Sequence, residues 1–158
     1  MARKTKLKTE IRKERKKKEP TLPQLKLRLQ QVFNKFIRLR DYGKPCISCG
    51  RKRLLQAGHF YSVKGYDGLR YDEFNVHGEC GGCNGFDDMH LLGYSENLKE
   101  RIGIEEYEAL KQRAADYKRE GYKFLKSEII EMIEIYKSKV NELEQKGSNN
   151  FGRIKKNV

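Results

Sequence analysis

A chain of 158 residues is long enough for one domain with extensions. With 37% hydrophobic and 36% charged residues, it is expected to build a core from only part of its length. The net charge of +13 indicates a polyanionic partner, nucleic acid first, because Lys and Arg neutralise phosphates. No apolar h-region follows the basic N-terminal residues and no run approaches membrane-spanning length, so neither a signal peptide nor a membrane span is expected. These features predict a soluble, intracellular protein and exclude a membrane protein.

Residues 1–20 are predicted to be a disordered basic arm. The first 19 residues contain ten Lys or Arg and three Glu, so this stretch carries +7 while the remainder of the chain carries +6. An arm that follows a phosphate backbone is the favoured interpretation. A solvated arm that only aids solubility is the alternative. Anionic lipid is disfavoured, because the arm has almost no apolar residues to bury.

A single domain is predicted over residues 21–146, followed by a flexible tail at 147–158. Its first helix, 21–43, starts near Thr21 and Pro23 and has apolar residues at helical spacing. A helical extension is predicted over 94–146. Its last helix carries a stripe with members three and four apart: Ile129, Ile133, Tyr136, Val140 and Leu143. The stripe predicts packing on another helix of the same chain, with a homodimer seam as the alternative.

Between these helical parts, residues 46–93 are rich in glycine and in short segments. Two strands are predicted at Leu54–Tyr61 and Leu69–Phe74, joined by a loop at Gly65–Gly68. A short helix that begins at Gly81 or Gly82 is predicted next. The fold class is therefore α+β, mainly helical, with a small central core between an N-terminal helix and C-terminal helices.

Four cysteines form two C-x-x-C pairs that are thirty residues apart: Cys46, Cys49, Cys80 and Cys83. Each C-x-x-C turn places two thiolates on one side of a metal, so the two pairs predict a tetrahedral structural zinc site. Disulfides are disfavoured in an intracellular protein. Two facing redox motifs are unusual, which disfavours that alternative as well. Because four thiolates leave zinc no open position, any chemistry must come from other residues.

The order C-x-x-C, Gly58-His59, Asn75 and C-x-x-C-N resembles the HNH endonucleases, which have a ββα-metal fold. A closer resemblance is to the phage lambda NinG (Rap) recombination protein family. It is carried by FNKFIRLRDYGKPCISCGR, AGHF, LRYDEFNVHGEC and the second C-x-x-C-N, and it continues through NLKERIG. The resemblance covers residues 30–105 well and the flanking residues only loosely. The resemblance implies a zinc-stabilised ββα-metal core and a bacteriophage or prophage protein in the cytoplasm of a bacterial host.

The resemblance also implies a role for each matching residue. His59 would be the general base that activates water, and Asn75 would fix the loop that carries it. Asn84 would help to hold a catalytic Mg²⁺ or Mn²⁺ ion. Two departures stand out: Gly58 replaces the Asp of many HNH enzymes, and Asn84 replaces the usual His. The residues that could complete the catalytic metal site are His59, Asn84, Asp88, His90 and His77.

The function implied is that of a metal-dependent HNH-type endodeoxyribonuclease that hydrolyses phosphodiesters in Holliday junctions or D-loops. DNA contacts are expected from seven basic residues: Arg38, Arg40, Arg51, Lys52, Arg53, Lys64 and Arg70. The alternative is a zinc-stabilised DNA-binding or recruitment module without catalysis, in which His59 only packs near the zinc. A solvated surface role for Asp88 is likewise left open.

Overall fold

The computed structural model describes residues 19–86 and 90–154. All but the last two residues of the predicted basic arm lie outside this range, as do Asp88 and the last four residues of the chain. The described elements, in chain order, are α1 (Leu22–Arg40), β1 (Leu55–His59), a 3-10 turn (Asp67–Leu69), β2 (Val76–Cys80), α2 (Gly81–Phe86), α3 (His90–Ile102), α4 (Ile104–Glu120) and α5 (Lys126–Ile154). The predicted α+β, mainly helical class is confirmed.

Helix α1 begins with a capping box, in which the backbone N–H of Thr21 donates to the Gln24 side chain at 2.9 Å. Its buried face consists of Leu25, Leu29, Phe33, Phe36 and Ile37. This face packs on the apolar stripe of α5, where the rings of Phe33 and Tyr136 meet edge to face at 4.8 Å. The apolar stripe of α5 therefore packs on another helix of the same chain, as its spacing predicts.

Helix α5 is longer than the sequence predicts. The pattern predicts an end at Gly147, but the helix continues to Ile154. A single glycine in a helix interior costs only about 1 kcal/mol relative to alanine. It therefore weakens a helix without having to end it.

Strands β1 and β2 form an antiparallel hairpin in which Leu55 pairs with Cys80 and His59 with Val76. The first strand lies inside its predicted segment, but the strand predicted at Leu69–Phe74 is wrong. That segment turns instead, and the Asp72 carboxylate accepts the backbone N–H of Phe74 at 2.8 Å, as in an Asx-turn. All five residues of β2 are buried, so the strand lacks the alternation that marks a half-exposed strand.

Helix α3 lies over the hairpin and joins it to α4. The Tyr94 hydroxyl, which is fully buried, donates to the Gly58 carbonyl at 2.9 Å and accepts the His77 backbone N–H at 3.1 Å. A second apolar cluster, which includes Ile47, Tyr94 and Leu110, fills the space between these helices and the segment after Cys46. In the part of the chain that the structure describes, no helix is both long and apolar enough to cross a membrane.

Candidate metal centre and histidine site

The first C-x-x-C pair lies in a tight turn between α1 and β1. The backbone N–H of Gly50 donates to the Cys46 carbonyl at 3.0 Å, and that of Cys46 donates to the Arg51 carbonyl at 3.0 Å. Gly50 has a φ of 67°, a left-handed conformation that glycine adopts without a steric penalty. This turn directs the Cys46 and Cys49 thiols toward the second pair.

The second pair spans the junction between the hairpin and α2. Cys80 is the last residue of β2 and Cys83 lies in the first turn of α2. The four Sγ atoms all lie within 4.8 Å of one another, and those of Cys49 and Cys80 are 3.9 Å apart. A tetrahedral zinc with Zn–S bonds of about 2.3 Å separates its sulfurs by about 3.8 Å. The four free thiols therefore could hold a zinc ion in a closed structural site.

A cation at the centre of this cluster would require the thiols to lose their protons. The backbone N–H of Cys83, foremost among several hydrogen bonds, lowers the pKa of the Cys80 thiol to about 7. Burial, reinforced by the neighbouring thiols, raises the pKa of Cys83. Burial also raises the pKa of Cys46. A bound metal would offset the repulsion among four thiolates, and so binding would release protons.

His59 ends β1, and its ring is partly buried. Its Nε2 lies 3.0 Å from the Arg70 carbonyl oxygen, which can only accept, so we assign the ring proton to Nε2. The Nδ1 atom then carries a lone pair. Burial, the largest influence, lowers the pKa of His59 from its usual 6.5. The imidazole is therefore neutral at pH 7, with one nitrogen able to accept a proton.

Asn75 fastens the backbone that follows this histidine. The side chain is fully buried, and its Oδ1 accepts the Tyr61 backbone N–H at 2.8 Å. Its Nδ2 donates to the carbonyls of Tyr61 at 3.1 Å and of Leu69 at 3.0 Å. Leu69 precedes Arg70, whose carbonyl contacts His59. The amide thus links the loop after His59 to the turn that holds the imidazole.

Asn84 lies on the exposed side of α2, and its Nδ2 donates to Gln56 Oε1 at 3.0 Å. Gln56 and His59 are three residues apart on β1, so their side chains leave opposite faces of the strand. Within the described residues, no hydrogen bond joins Asn84 to His59. The structure therefore brings Asn75 close to the histidine loop but does not join Asn84 to it.

A buried glutamate fills the space that a side chain at Gly58 would enter. A Cβ on Gly58 would lie 2.7 Å from Glu79 Cβ and closer still to the Glu79 carboxylate. Glu79 is fully buried, and one carboxylate oxygen contacts the Ser48 hydroxyl and, at 2.8 Å, His90 Nδ1. The other oxygen, Oε2, is buried without a hydrogen-bond partner in the described structure. Glu79 was not predicted as a site residue, and its one signal in the sequence is its position directly before the predicted zinc ligand Cys80.

The remaining histidines differ in environment. His90 begins α3 and pairs with Glu79, so it lies at the edge of the same buried group. His77 is enclosed: its Nδ1 is 3.1 Å from Arg40 Nη2, and its Nε2 is 3.2 Å from the Phe74 carbonyl. Burial, with the nearby Arg40 charge, lowers the pKa of His77 to about 3. A metal at His77 would have to replace one of these contacts, and metal binding by either histidine stays a prediction.

The seven expected DNA contacts separate into two groups. Arg40 donates internally to Asp41 and to the carbonyls of Glu73 and Val76, and Arg70 donates to Gln30 and Asp67. The other five are exposed, and their side chains make no hydrogen bond or ion pair inside the described part of the chain: Arg38, Arg51, Lys52, Arg53 and Lys64. The second group is the one whose cationic ends are free for phosphates.

Asp41 is a second buried carboxylate that the sequence did not single out. It accepts from Arg40 at 2.8 Å, from Lys44 at 2.9 Å and from the Gly78 backbone N–H at 2.8 Å. Burial by itself would raise the pKa of Asp41, but these donors outweigh it and hold the pKa well below its usual value. The carboxylate thereby ties the end of α1 to β2, on which the second cysteine pair depends.

Comparison with known proteins agrees with this arrangement of motifs. The family model of the Bacteriophage Lambda NinG protein matches residues 1–146. Protein ninG of Salmonella phage P22 is 42% identical over 92 residues, which cover 57% of this chain and 44% of that protein. Protein ninG of Escherichia phage 933W is 44% identical over 78 residues, covering 48% and 39%, and that of Escherichia phage lambda is 42% identical over 78 residues, covering 48% and 38%.

The chain thus spans less than half the length of these curated relatives. No solved structure matches it. The family model nonetheless covers all of the described helices and strands up to Lys146, including the four cysteines. The chain therefore belongs to the NinG family of phage lambda.

Proposed function

We propose that this protein is a metal-dependent endodeoxyribonuclease of HNH type that cleaves branched recombination intermediates. The observation that carries the proposal is the hydrogen bond that fixes the orientation and the tautomer of the His59 ring. Its Nε2 is held by the Arg70 carbonyl at 3.0 Å, so Nδ1 is left as the proton acceptor. A histidine that is oriented by a backbone carbonyl and neutral at pH 7 has the properties of a general base.

The reaction proposed is attack of water on a phosphodiester. Nδ1 of His59 takes a proton from the water as its oxygen bonds to phosphorus, and the bond from phosphorus to the leaving sugar oxygen breaks. Asn75 supports this step by fixing the loop at Tyr61 and the turn at Leu69, so that the imidazole needs little reorganisation. The closed cysteine centre holds the hairpin against α2 and takes no part in the chemistry.

A catalytic Mg²⁺ or Mn²⁺ is part of the proposal, since a divalent ion would stabilise charge on the phosphate and the leaving oxygen. Among the described residues, the four cysteines are the one group of three or more His, Cys, Asp or Glu close enough to share a metal. The described side chains thus do not by themselves assemble the second site. The ligands proposed for this ion are the five residues named from the sequence: His59, Asn84, Asp88, His90 and His77.

A non-catalytic DNA-binding or recruitment module is the second candidate. It is favoured by one observation, namely that Asn84 bonds to Gln56 and no described hydrogen bond joins it to His59. In this case the zinc-bound hairpin would only present basic residues to DNA. Both candidates predict salt-sensitive DNA binding, because both rely on Lys and Arg at phosphates.

Cleavage separates the two. Linear duplex, three-way junctions and four-way junctions of equal length are incubated with the purified protein and Mg²⁺ or Mn²⁺. We expect cleavage of the branched substrates and its loss in His59→Ala, with zinc content and melting temperature close to wild type. That variant, purified in the same way, also controls for contaminating nuclease. Equal cleavage by His59→Ala, or none by either protein, contradicts the nuclease proposal.

A further inference from the structure

A groove of about 680 Å³ runs between the C-terminal half of α1, the turn that follows it and the segment that leads into β1. We call it the basic groove. Its cationic lining residues come from all three parts: Lys35, Arg38, Lys44, Lys52 and Arg53. The residues that line the groove include no Asp or Glu. It lies beside the cysteine centre, since Lys52 and Arg53 follow the first C-x-x-C turn.

Two of these cations have acidic partners, and three do not. Lys35 pairs with Glu144 at 2.7 Å, and Lys44 pairs with Asp41 at 2.9 Å. Arg38, Lys52 and Arg53 are exposed and make no ion pair within residues 19–86 and 90–154. Three uncompensated charges in one concave surface attract a polyanion, because the groove walls focus their field.

The groove also presents two large apolar side chains to solvent. Tyr42 is 80% exposed and Leu54 is 91% exposed, and both line the groove. Tyr42 lies in a turn that contains Gly43, whose φ of 80° suits glycine. A fully paired duplex offers phosphates to such a surface but keeps its base faces stacked. A strand with unpaired bases offers phosphates to the cations and a base face to an aromatic ring.

We infer that the basic groove binds a DNA strand at unpaired bases. Arg38, Lys52 and Arg53 contact the phosphates, while Tyr42 and Leu54 contact base faces. The inference rests on the proposed function in taking DNA as the polyanion, and it adds the feature of branched DNA that is recognised. A D-loop contains unpaired bases in its displaced strand, whereas an intact duplex contains none.

The test compares two labelled DNAs of equal length and sequence, one fully paired and one with a short single-stranded gap. Binding is measured by fluorescence anisotropy without added divalent metal and without chelator, so that neither cleavage nor loss of zinc intervenes. We expect Tyr42→Ala/Leu54→Ala to weaken binding to the gapped DNA by about fivefold or more, as loss of base stacking does. Binding to the duplex should change less than about twofold by the same reasoning.

The charges are tested separately with Arg38→Gln/Lys52→Gln/Arg53→Gln. This variant should bind both DNAs more weakly and lower the salt dependence of log K by about two to three, since three phosphate contacts are removed. The matched control is Tyr122→Ala/Leu125→Ala, which removes an exposed tyrosine and leucine outside the groove. We expect the control to bind both DNAs as the wild type does.

Three outcomes would overturn the inference. The first is an equal loss, or no loss, on the two DNAs in Tyr42→Ala/Leu54→Ala. The second is an unchanged salt dependence in the triple variant. The third is a change of oligomeric state on sedimentation in Tyr42→Ala/Leu54→Ala, which would mean that a second copy of the chain covers the groove. A protein that binds gapped DNA as expected but cleaves nothing would refute the nuclease proposal alone.

Discussion

Asn75→Asp isolates the role of the buried amide, because it changes the chemistry of the side chain while keeping its shape. The aspartate retains an oxygen that can accept the Tyr61 backbone N–H. It replaces the Nδ2 donor with a second oxygen, which faces the carbonyls of Tyr61 and Leu69. Two good hydrogen bonds thus become two contacts between acceptors.

The magnitude follows from the burial of this site. Asn75 has no exposed surface, so water cannot replace the lost donor. The Tyr61 carbonyl would be left without a donor, at a cost of about 1–3 kcal/mol, whereas the Leu69 carbonyl keeps the Asp72 backbone N–H at 3.2 Å. A domain of this kind has a free energy of unfolding of about 5–15 kcal/mol, so the variant should remain folded in the cold but be much less stable.

Urea denaturation followed by circular dichroism measures the change in the free energy of unfolding. The matched control is Asn34→Asp on α1, where the asparagine Oδ1 accepts from Gln30 at 2.7 Å and an aspartate can do the same. We expect the control to change stability by less than about 0.5 kcal/mol. If Asn75→Asp unfolds at the same urea concentration as the control, the three bonds of Asn75 do not hold the histidine loop in solution.

Three further predictions concern the metal centre and the titrating groups. Cys80→Ser should lose zinc, measured by metal analysis, and unfold the hairpin core, since structural zinc contributes folding energy; a folded, metal-free variant would disprove the site. His59 has a pKa lowered from 6.5, so the acid limb of kcat/KM for DNA cleavage should lie below pH 6.5, and a limb above that value would exclude it as the base. In the folded protein His77 stays neutral down to about pH 3, whereas in the unfolded chain it gains a proton below pH 6.5. The free energy of unfolding should therefore be highest above pH 6.5 and fall toward pH 3, by up to about 1.4 kcal/mol per pH unit. Melting temperatures measured across this range should show the loss, and a flat profile would contradict it.

The sequence by itself determined the elements that follow from local periodicity and spacing. The apolar stripes predicted α1 and α5, because a helix that packs on one side repeats its apolar residues every three or four positions. The two C-x-x-C pairs predicted a four-thiol cluster, and their Sγ atoms do converge. The ordered motifs around them were also sufficient to predict the NinG family.

Other features were decided only by the tertiary structure. The sequence of the second strand, Val76–Cys80, shows no alternation of apolar and polar residues. The reason is that α1 covers one face of this strand and α3 covers the other. Arg40 carries a guanidinium that could bind a phosphate. In the structure this group instead donates hydrogen bonds to the buried Asp41 carboxylate and to two backbone carbonyls. Whether a charged side chain faces DNA or the interior depends on these long-range partners.

Glu79 shows the same dependence at the site itself. The sequence shows that position 58 is a glycine and so supplies no carboxylate. It does not show which side chain of another strand occupies the space over this glycine. The hairpin register brings Glu79 from the partner strand over Gly58, and α3 adds His90 to it. A carboxylate therefore lies over Gly58, supplied by Glu79 of the partner strand, because only the pairing of two strands can place it there.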